Sequence, residues 1–385
     1  MEYNHSNKRN STVTTVVMCA IVFSIFSFSW LYWFQADVLA VAQHVFSGGQ
    51  TQYHSLLTAV VITLVLLLIQ RHILFIVRLY RRAHWLTYFP LMLFLALASD
   101  VSDRFIRTAT AGWWILWVIL ALCIWGVGVW LSKQLNPFPS PKESLGIFSK
   151  CGILNVLGMT LMMLMVAGLA NTNAVFHFRT HVETALIDGN LDEVLRTGQR
   201  SHETDTHLTM LRAYALSKKG ELGERLFEYP VAGRGCDLIP MATSDSRLLR
   251  YPADSLYRHL GANAGEKMTT YRYYDLLEYY GWASKAVADY RLCGLLMDRN
   301  IDEFVRQLPR YYTINDSLPK HYKEALVLYT HQRYKPAVVY HHAVLDEDWS
   351  DFCALTKQYA RKNERKYHVE EHYRTSYWYY YFKES

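Results

Sequence analysis

The run from Thr12 to Phe34 spans 23 residues without a charged side chain, and no other feature constrains this chain as much. A helix of that length, rising 1.5 Å per residue, reaches roughly 34 Å, which is enough to cross a hydrocarbon core. Lys8 and Arg9 precede it as the basic region of a signal peptide would, and Ala40-Val41-Ala42 resembles a small-residue cleavage site. The length of the apolar run favours an uncleaved anchor.

Further apolar runs follow, all of them before residue 176. The spacing predicts a membrane domain over 1–175 with about five spans, near 12–34, 55–79, 85–99, 113–131 and 152–170. The second run is interrupted by Gln70, Arg71 and His72. The chain then either turns along the interface or continues tilted with Arg71 snorkelling, and both versions lead to Arg78, Arg81 and Arg82. The third, Trp85 to Ser99, is the shortest and carries Pro90; Asn136 to Pro141 reads as a rigid, helix-free turn.

Charge divides the chain at the same place. Residues 1–175 hold 11 of the 40 Lys and Arg and 5 of the 34 Asp and Glu, so the whole net charge of +6 belongs to them and the remainder is formally neutral. A membrane region followed by a water-soluble domain has this pattern, and a soluble part without basic excess argues against nucleic acid as a partner. With the N-terminus inside, five spans leave nine basic residues in cytoplasmic segments and two outside. That bias is the positive-inside pattern: it predicts a multi-pass inner-membrane protein with a cytoplasmic N-terminus and a periplasmic C-terminal domain. Loss of the third span would reverse that placement.

From Phe176 onward, apolar residues recur at helical spacing in short segments broken by Gly or Asn. Examples are Val182 to Leu186 before Gly189-Asn190, and Ala283 to Met297 before Arg299-Asn300. Helix pairs this short must stack to bury an apolar face, so the fold class is all-α, with the transmembrane bundle followed by an α-solenoid similar to tetratricopeptide repeats. The expected domains are a first repeat segment at 176–230, an irregular connection at 231–254 and a second helical domain at 255–385, whose aromatic tail, Tyr377 to Phe382, forms a docked final helix. The Trp-Leu-Gly-Tyr pattern of the first helix of such repeats is absent.

Four stretches carry a resemblance to a known group: Leu256 to Gly261, Ala288 to Leu292, Leu318 to Tyr329 and Tyr377 to Phe382. They resemble an uncharacterised family of bacterial inner-membrane proteins, a domain of unknown function. The resemblance covers most of the chain and implies a repeat-like helical domain outside the inner membrane. It carries over no catalytic residue.

Candidate chemistry is sparse. His321, His331, His341 and His342 lie near Asp346, Glu347 and Asp348, but a metal needs three or four converging ligands and this spacing supplies a pair, so neither metal nor cofactor is expected. Cys236, Cys293 and Cys353 allow at most one disulfide in the soluble part, and buried structural thiols are the plainer reading. Asp100 and Asp103 follow the third span, where glycosyltransferases acting on lipid-linked sugars place acidic groups; local pairing with Arg104 and Arg107 is the plainer reading. No GxGxxG, Walker lysine motif, GxSxG or CxxC occurs.

Of the 28 tyrosines, 23 follow Phe176. A Tyr suits both packing and recognition, and a groove between stacked helices would expose some of them. The surface expected to meet a partner is Tyr273, Tyr274, Tyr311, Tyr312, His321 and Tyr322. The expected function is a non-catalytic membrane-anchored scaffold that binds a protein or peptide of the cell envelope; the alternative is a membrane enzyme of envelope glycan assembly using Asp100 and Asp103.

Overall fold

The computed structural model describes residues 3–79, 81–102, 114–135, 149–241, 244–245, 247–265, 267–359 and 361–383. The proline-rich turn expected at 136–141 lies outside them, as does Asp103. The chain forms two compact units, Met1–Phe176 and His177–Ser385. Among the described residues every regular element is helical.

The first unit contains α1 (Tyr3–Ser29), α2 (Ala36–Phe46), α3 (Ser55–Val77), α4 (Phe89–Ser99), α5 (Trp114–Leu135) and α6 (Lys150–Leu169). A five-residue π-helical turn, Trp30–Phe34, extends α1. Four helical stretches are long and apolar enough to cross a membrane: Thr14–Phe34, Ser55–Val77, Ile115–Gln134 and Lys150–Leu169. Many of their leucines point outward, with Leu57 65%, Leu64 55% and Leu68 64% exposed along α3, an arrangement that hydrocarbon tolerates and water does not.

The third expected span differs from the other four. Only Phe89–Ser99 is α-helical there, because Pro90 has no N–H and is accommodated in the first turn of a helix, while Arg81–Tyr88 winds as a 3-10 segment. Eleven residues of α-helix reach about 16 Å, short of a hydrocarbon core. Yet the whole stretch runs parallel to α6. Trp85 N–H donates to Asn155 Oδ1 at 2.8 Å, and Asn171 pairs with the other end, its N–H to Ser99 O at 3.3 Å and its amide to Val101 O at 2.7 Å. Between these anchors Tyr88, Leu91, Met92, Leu95 and Ala96 share a core with Met159, Met162 and Val166. Gly158 permits the contact, since a Cβ there would lie 2.4 Å from the Trp85 ring.

The second unit is built from a repeated device. Its helices are α7 (Ala174–Ile187, which begins in the first unit), α8 (Leu191–Arg196), α9 (Thr206–Lys219), α10 (Leu222–Arg225), α11 (Ala253–Leu260), α12 (Thr270–Tyr279), α13 (Ala286–Met297), α14 (Ile301–Gln307), α15 (Lys320–Gln332), α16 (Ala343–Gln358), α17 (Lys362–Tyr373) and α18 (Tyr377–Phe382). Helices α7 to α9 are echoed by α13 to α15. Asp188-Gly189-Asn190-Leu191-Asp192-Glu193 corresponds to Asp298-Arg299-Asn300-Ile301-Asp302-Glu303. Asn190 caps α8 by accepting from Glu193 N–H at 3.2 Å, and Asn300 caps α14 from Glu303 N–H at the same distance. The third helix closes each repeat on the same aspartate, Lys219 on Asp192 at 2.7 Å and Arg333 on Asp302 at 2.6 Å. The residue before each cap is left-handed: Gly189 at φ 74° and, where a side chain must bear that conformation, Arg299 at φ 55°.

The segment 231–254 departs from the reading of it as a connection between subdomains. Glu183 accepts from the backbone N–H groups of Leu249, Arg250 and Tyr251, which ties its far end to the first repeat. Gly235 N–H donates to Asp298 Oδ1 at 2.8 Å, and its Cα abuts Gly294 so closely that a Cβ would meet the Gly294 carbonyl at 2.4 Å. The segment is irregular because it packs across both repeats, and 177–385 is therefore one unit.

Candidate functional site

Four of the six residues expected at a partner surface are core. Tyr273 (2% exposed), Tyr274, His321 and Tyr322 (each 0%) are buried, so that reading is corrected. For the tyrosines the physical reason is the size of the apolar ring, whose burial stabilises the fold; the Tyr273 and Tyr322 hydroxyls also find partners, while the buried Tyr274 hydroxyl has none among the described residues. Tyr273 donates to Ala262 O, and Tyr322 donates to Asp289 Oδ1 at 2.8 Å. Tyr312, half-buried, donates to the same Asp289 oxygen at 2.7 Å, and Tyr311 donates to Glu278. Burial raises the Asp289 carboxyl pKa, opposed by the two phenol bonds.

His321 is a structural link. Its Nδ1 and Glu324 Oε2 are 2.9 Å apart, while its Nε2 accepts from Phe227 N–H at 3.3 Å. The same Glu324 oxygen accepts from Tyr377 N–H at 2.7 Å, so the pair fastens the C-terminal helix to the core. The Glu324 carbonyl adds a bond from Trp378 Nε1 at 2.8 Å, and Tyr380 OH reaches Met297 O at 2.8 Å. Arg299 lies 5.3 Å over the Tyr380 ring, a contact made by the side chain that stands where the first repeat has Gly189.

Asp100 caps the end of α4 and is exposed. His331 Nε2 and His341 Nδ1 each lie 3.2 Å from Asp346, while His342 is the N-cap of α16. Among the described residues no group of three or more His, Cys, Asp or Glu converges as a metal site would, and all six cysteines are free.

A concave site lies between α16, α17 and α18; of its lining, sequence reasoning singled out only the residues of the aromatic tail, as a docked helix. Helix α16 presents Trp349, Phe352, Cys353 and Thr356 at i, i+3, i+4 and i+7, one face of a helix. With Phe382 of α18 they make an aromatic floor, the Trp349, Phe352 and Phe382 ring centroids being 5.6 to 6.2 Å apart. Arg365 and Lys366 of α17, and Lys383 just after α18, form the rim of a cavity of about 410 Å³. Cys353 faces this cavity, and burial raises its thiol pKa, which favours the unreactive protonated form. The periodic signal was present in the sequence, but in this stretch sequence reasoning weighed only the histidines and Asp346, Glu347 and Asp348 as candidate ligands. Exposed aromatics elsewhere in this unit include Tyr334 (96%), Tyr279 (81%), Tyr367 (65%), Trp282 (58%) and Tyr280 (55%), with Tyr280 and Trp282 stacked at 4.8 Å.

Together these features define a class: an all-helical protein with an apolar, membrane-type helical unit and a helical-repeat unit that ends in an aromatic and cationic pocket. Residues 281–384 match the model of a family of unknown function, DUF6057. The match covers the second repeat and all three helices of the pocket. Of the stretches that carried the resemblance, those at 288–292, 318–329 and 377–382 fall within it, and 256–261 and the membrane-type unit fall outside. No curated protein matches the chain, and no solved structure does.

Proposed function

We propose that this protein is a non-catalytic scaffold of the bacterial inner membrane, holding its helical-repeat unit in the periplasm to bind a protein or peptide partner of the cell envelope. One observation carries the reading. Two units of opposite solvent preference are joined in one chain, and several buried ionisable side chains of the repeat unit's core are engaged in holding its segments together. Glu183, Asp289, His321 and Glu324 all have such partners. The pocket of α16 to α18, whose cations have no such role, is where a partner enters.

The periplasmic placement is supported by the path of residues 85–101. Running beside α6 from Asn155 to Asn171, this stretch covers about 24 Å of the same layer and acts as a fifth crossing although its helix is short. Five crossings set the repeat unit opposite the N-terminus and agree with the basic residues of the loops. A reporter fused after Ser385 and active only outside the cytoplasm tests this: activity is expected, and a silent but expressed fusion would overturn the placement. For the binding role, a photo-crosslinking residue at Gln332, exposed on the rim of the pocket, is expected to trap an envelope protein in intact cells. The glycosyltransferase-like alternative predicts instead that Asp100→Asn with Asp103→Asn abolishes the biological activity.

A further inference from the structure

The pocket between α16, α17 and α18 has two properties that an ordinary packing gap lacks. Its floor is aromatic, and its rim holds Arg365, Lys366 and Lys383 with no carboxylate among the described residues lining it. Several cations elsewhere in this unit are paired, Arg225 with Glu221 and Glu228, Arg291 with Asp275 and Arg333 with Asp302. Among the described residues no ion pair engages Arg365, Lys366 or Lys383; Lys383 lies 5.9 Å over the Tyr379 ring, its one charge-related contact. The carboxylate on the neighbouring face of α17, Glu370, is taken up by His202 Nδ1 at 3.0 Å and by the Tyr379 hydroxyl. Three cations around one concavity raise the local potential, and an anion seated there relieves it.

Each property excludes a class of ligand. A bare phosphate would leave the aromatic floor unused, and a neutral apolar molecule would leave the cations unanswered. The geometry points to a carboxylate joined to an apolar group, specifically the apolar C-terminal residue of a partner polypeptide, with its side chain on Trp349, Phe352 and Phe382 and its α-carboxylate on Arg365 and Lys366. This assignment rests on the reading of the repeat unit as a partner-binding module. Capture of a chain terminus by its carboxylate is a recurring recognition mode, and a cavity of about 410 Å³ lies within the range of small-ligand sites. The rim opens to solvent at Gln332, Lys366 and Lys383, which leaves the rest of the partner a way out.

The test uses the full chain in lipid nanodiscs, with empty nanodiscs as the baseline. A fluorescent pentapeptide ending in phenylalanine with a free carboxylate is titrated beside the same peptide as its C-terminal amide, and beside 4-phenylbutyrate. The free acid is expected to bind at least about tenfold tighter than the amide, the range of one charge-assisted hydrogen bond. Arg365→Gln with Lys366→Gln, the first half-buried and the second exposed, should reduce the acid to the amide's affinity and leave the amide unchanged. Cys353→Trp, which fills the cavity, should abolish both. Equal binding of acid and amide, or an undiminished acid in the charge variant, would overturn the inference. Phenylbutyrate binding as tightly as the peptide would overturn the assignment to a chain terminus. If the charge variant still captures the crosslinked envelope partner, this inference falls while the scaffold reading stands.

Discussion

Helices α3 and α9 are built from similar apolar residues and bury opposite things. Helix α9 buries ten consecutive residues, His207 to Leu216, its leucines among them. Helix α3 buries only Ala59, Thr63, Leu66 and Gln70, two of them polar, and turns most of its leucines outward. In hydrocarbon an outward leucine costs nothing, whereas a polar group must find a partner inside the protein. Thr63 therefore meets Ser27 at 3.1 Å, and Gln70 donates to Thr87 at 3.0 Å. In water the preference reverses, and the repeat unit spends its leucines on the core.

The sharpest way to break this contrast is to treat both helices alike. Leu211→Ala in α9 is expected to destabilise the repeat unit by about 2 to 5 kcal/mol, read by denaturant unfolding, whereas Leu64→Ala on α3 should cost less than about 1 kcal/mol. A costly Leu64→Ala would mean that this face packs against protein. Next in size, Leu64→Asp should cost about 3 kcal/mol if α3 lies in lipid, seen as failed membrane insertion. Full insertion of that variant would remove the membrane reading of α3.

A third effect belongs to the repeat unit. Burial, and then the charge of Lys218, lower the His259 pKa from 6.5 to about 4, with the ring 2.8 Å from Ser217 Oγ. The folded state then binds fewer protons than the unfolded state between those values, so stability is lost as pH falls through that window and no further below it. Solvent screening of this half-buried ring reduces the loss to about 1 to 2 kcal/mol, and His259→Gln should flatten that part of the stability profile. The smallest test compares the repeats: Asn190→Ala and Asn300→Ala should each cost about 1 kcal/mol, measured by hydrogen exchange. Unequal losses would show that only one turn nucleates its hairpin.

Much of this architecture was legible in the chain itself. The uncharged runs, the split of charge near residue 175 and the Gly or Asn turns between short helices are local properties, and the helices follow them. The third span was less legible, because Pro90 shortens its helix and only Asn155 and Asn171, some 70 residues away, reveal that it runs the length of α6. The site was least legible. Tyr273 and Tyr322 match the composition of a recognition surface, but a phenol with a partner is stable inside, and local sequence does not say whether Ala262 O or Asp289 will be there to receive it.

What the sequence determined by itself was therefore the helical class, the long apolar helices and the solvent preference of each half, because hydropathy and helix breakers act over a few residues. Tertiary structure alone decided that 231–254 binds two repeats into one unit, that His321 and Glu324 hold the final helix, and that Trp349, Arg365 and Lys383 meet around one cavity. Each of those outcomes depends on which distant groups are brought close enough to satisfy a buried donor or leave a charge unanswered, and such distances exist only once the chain has folded.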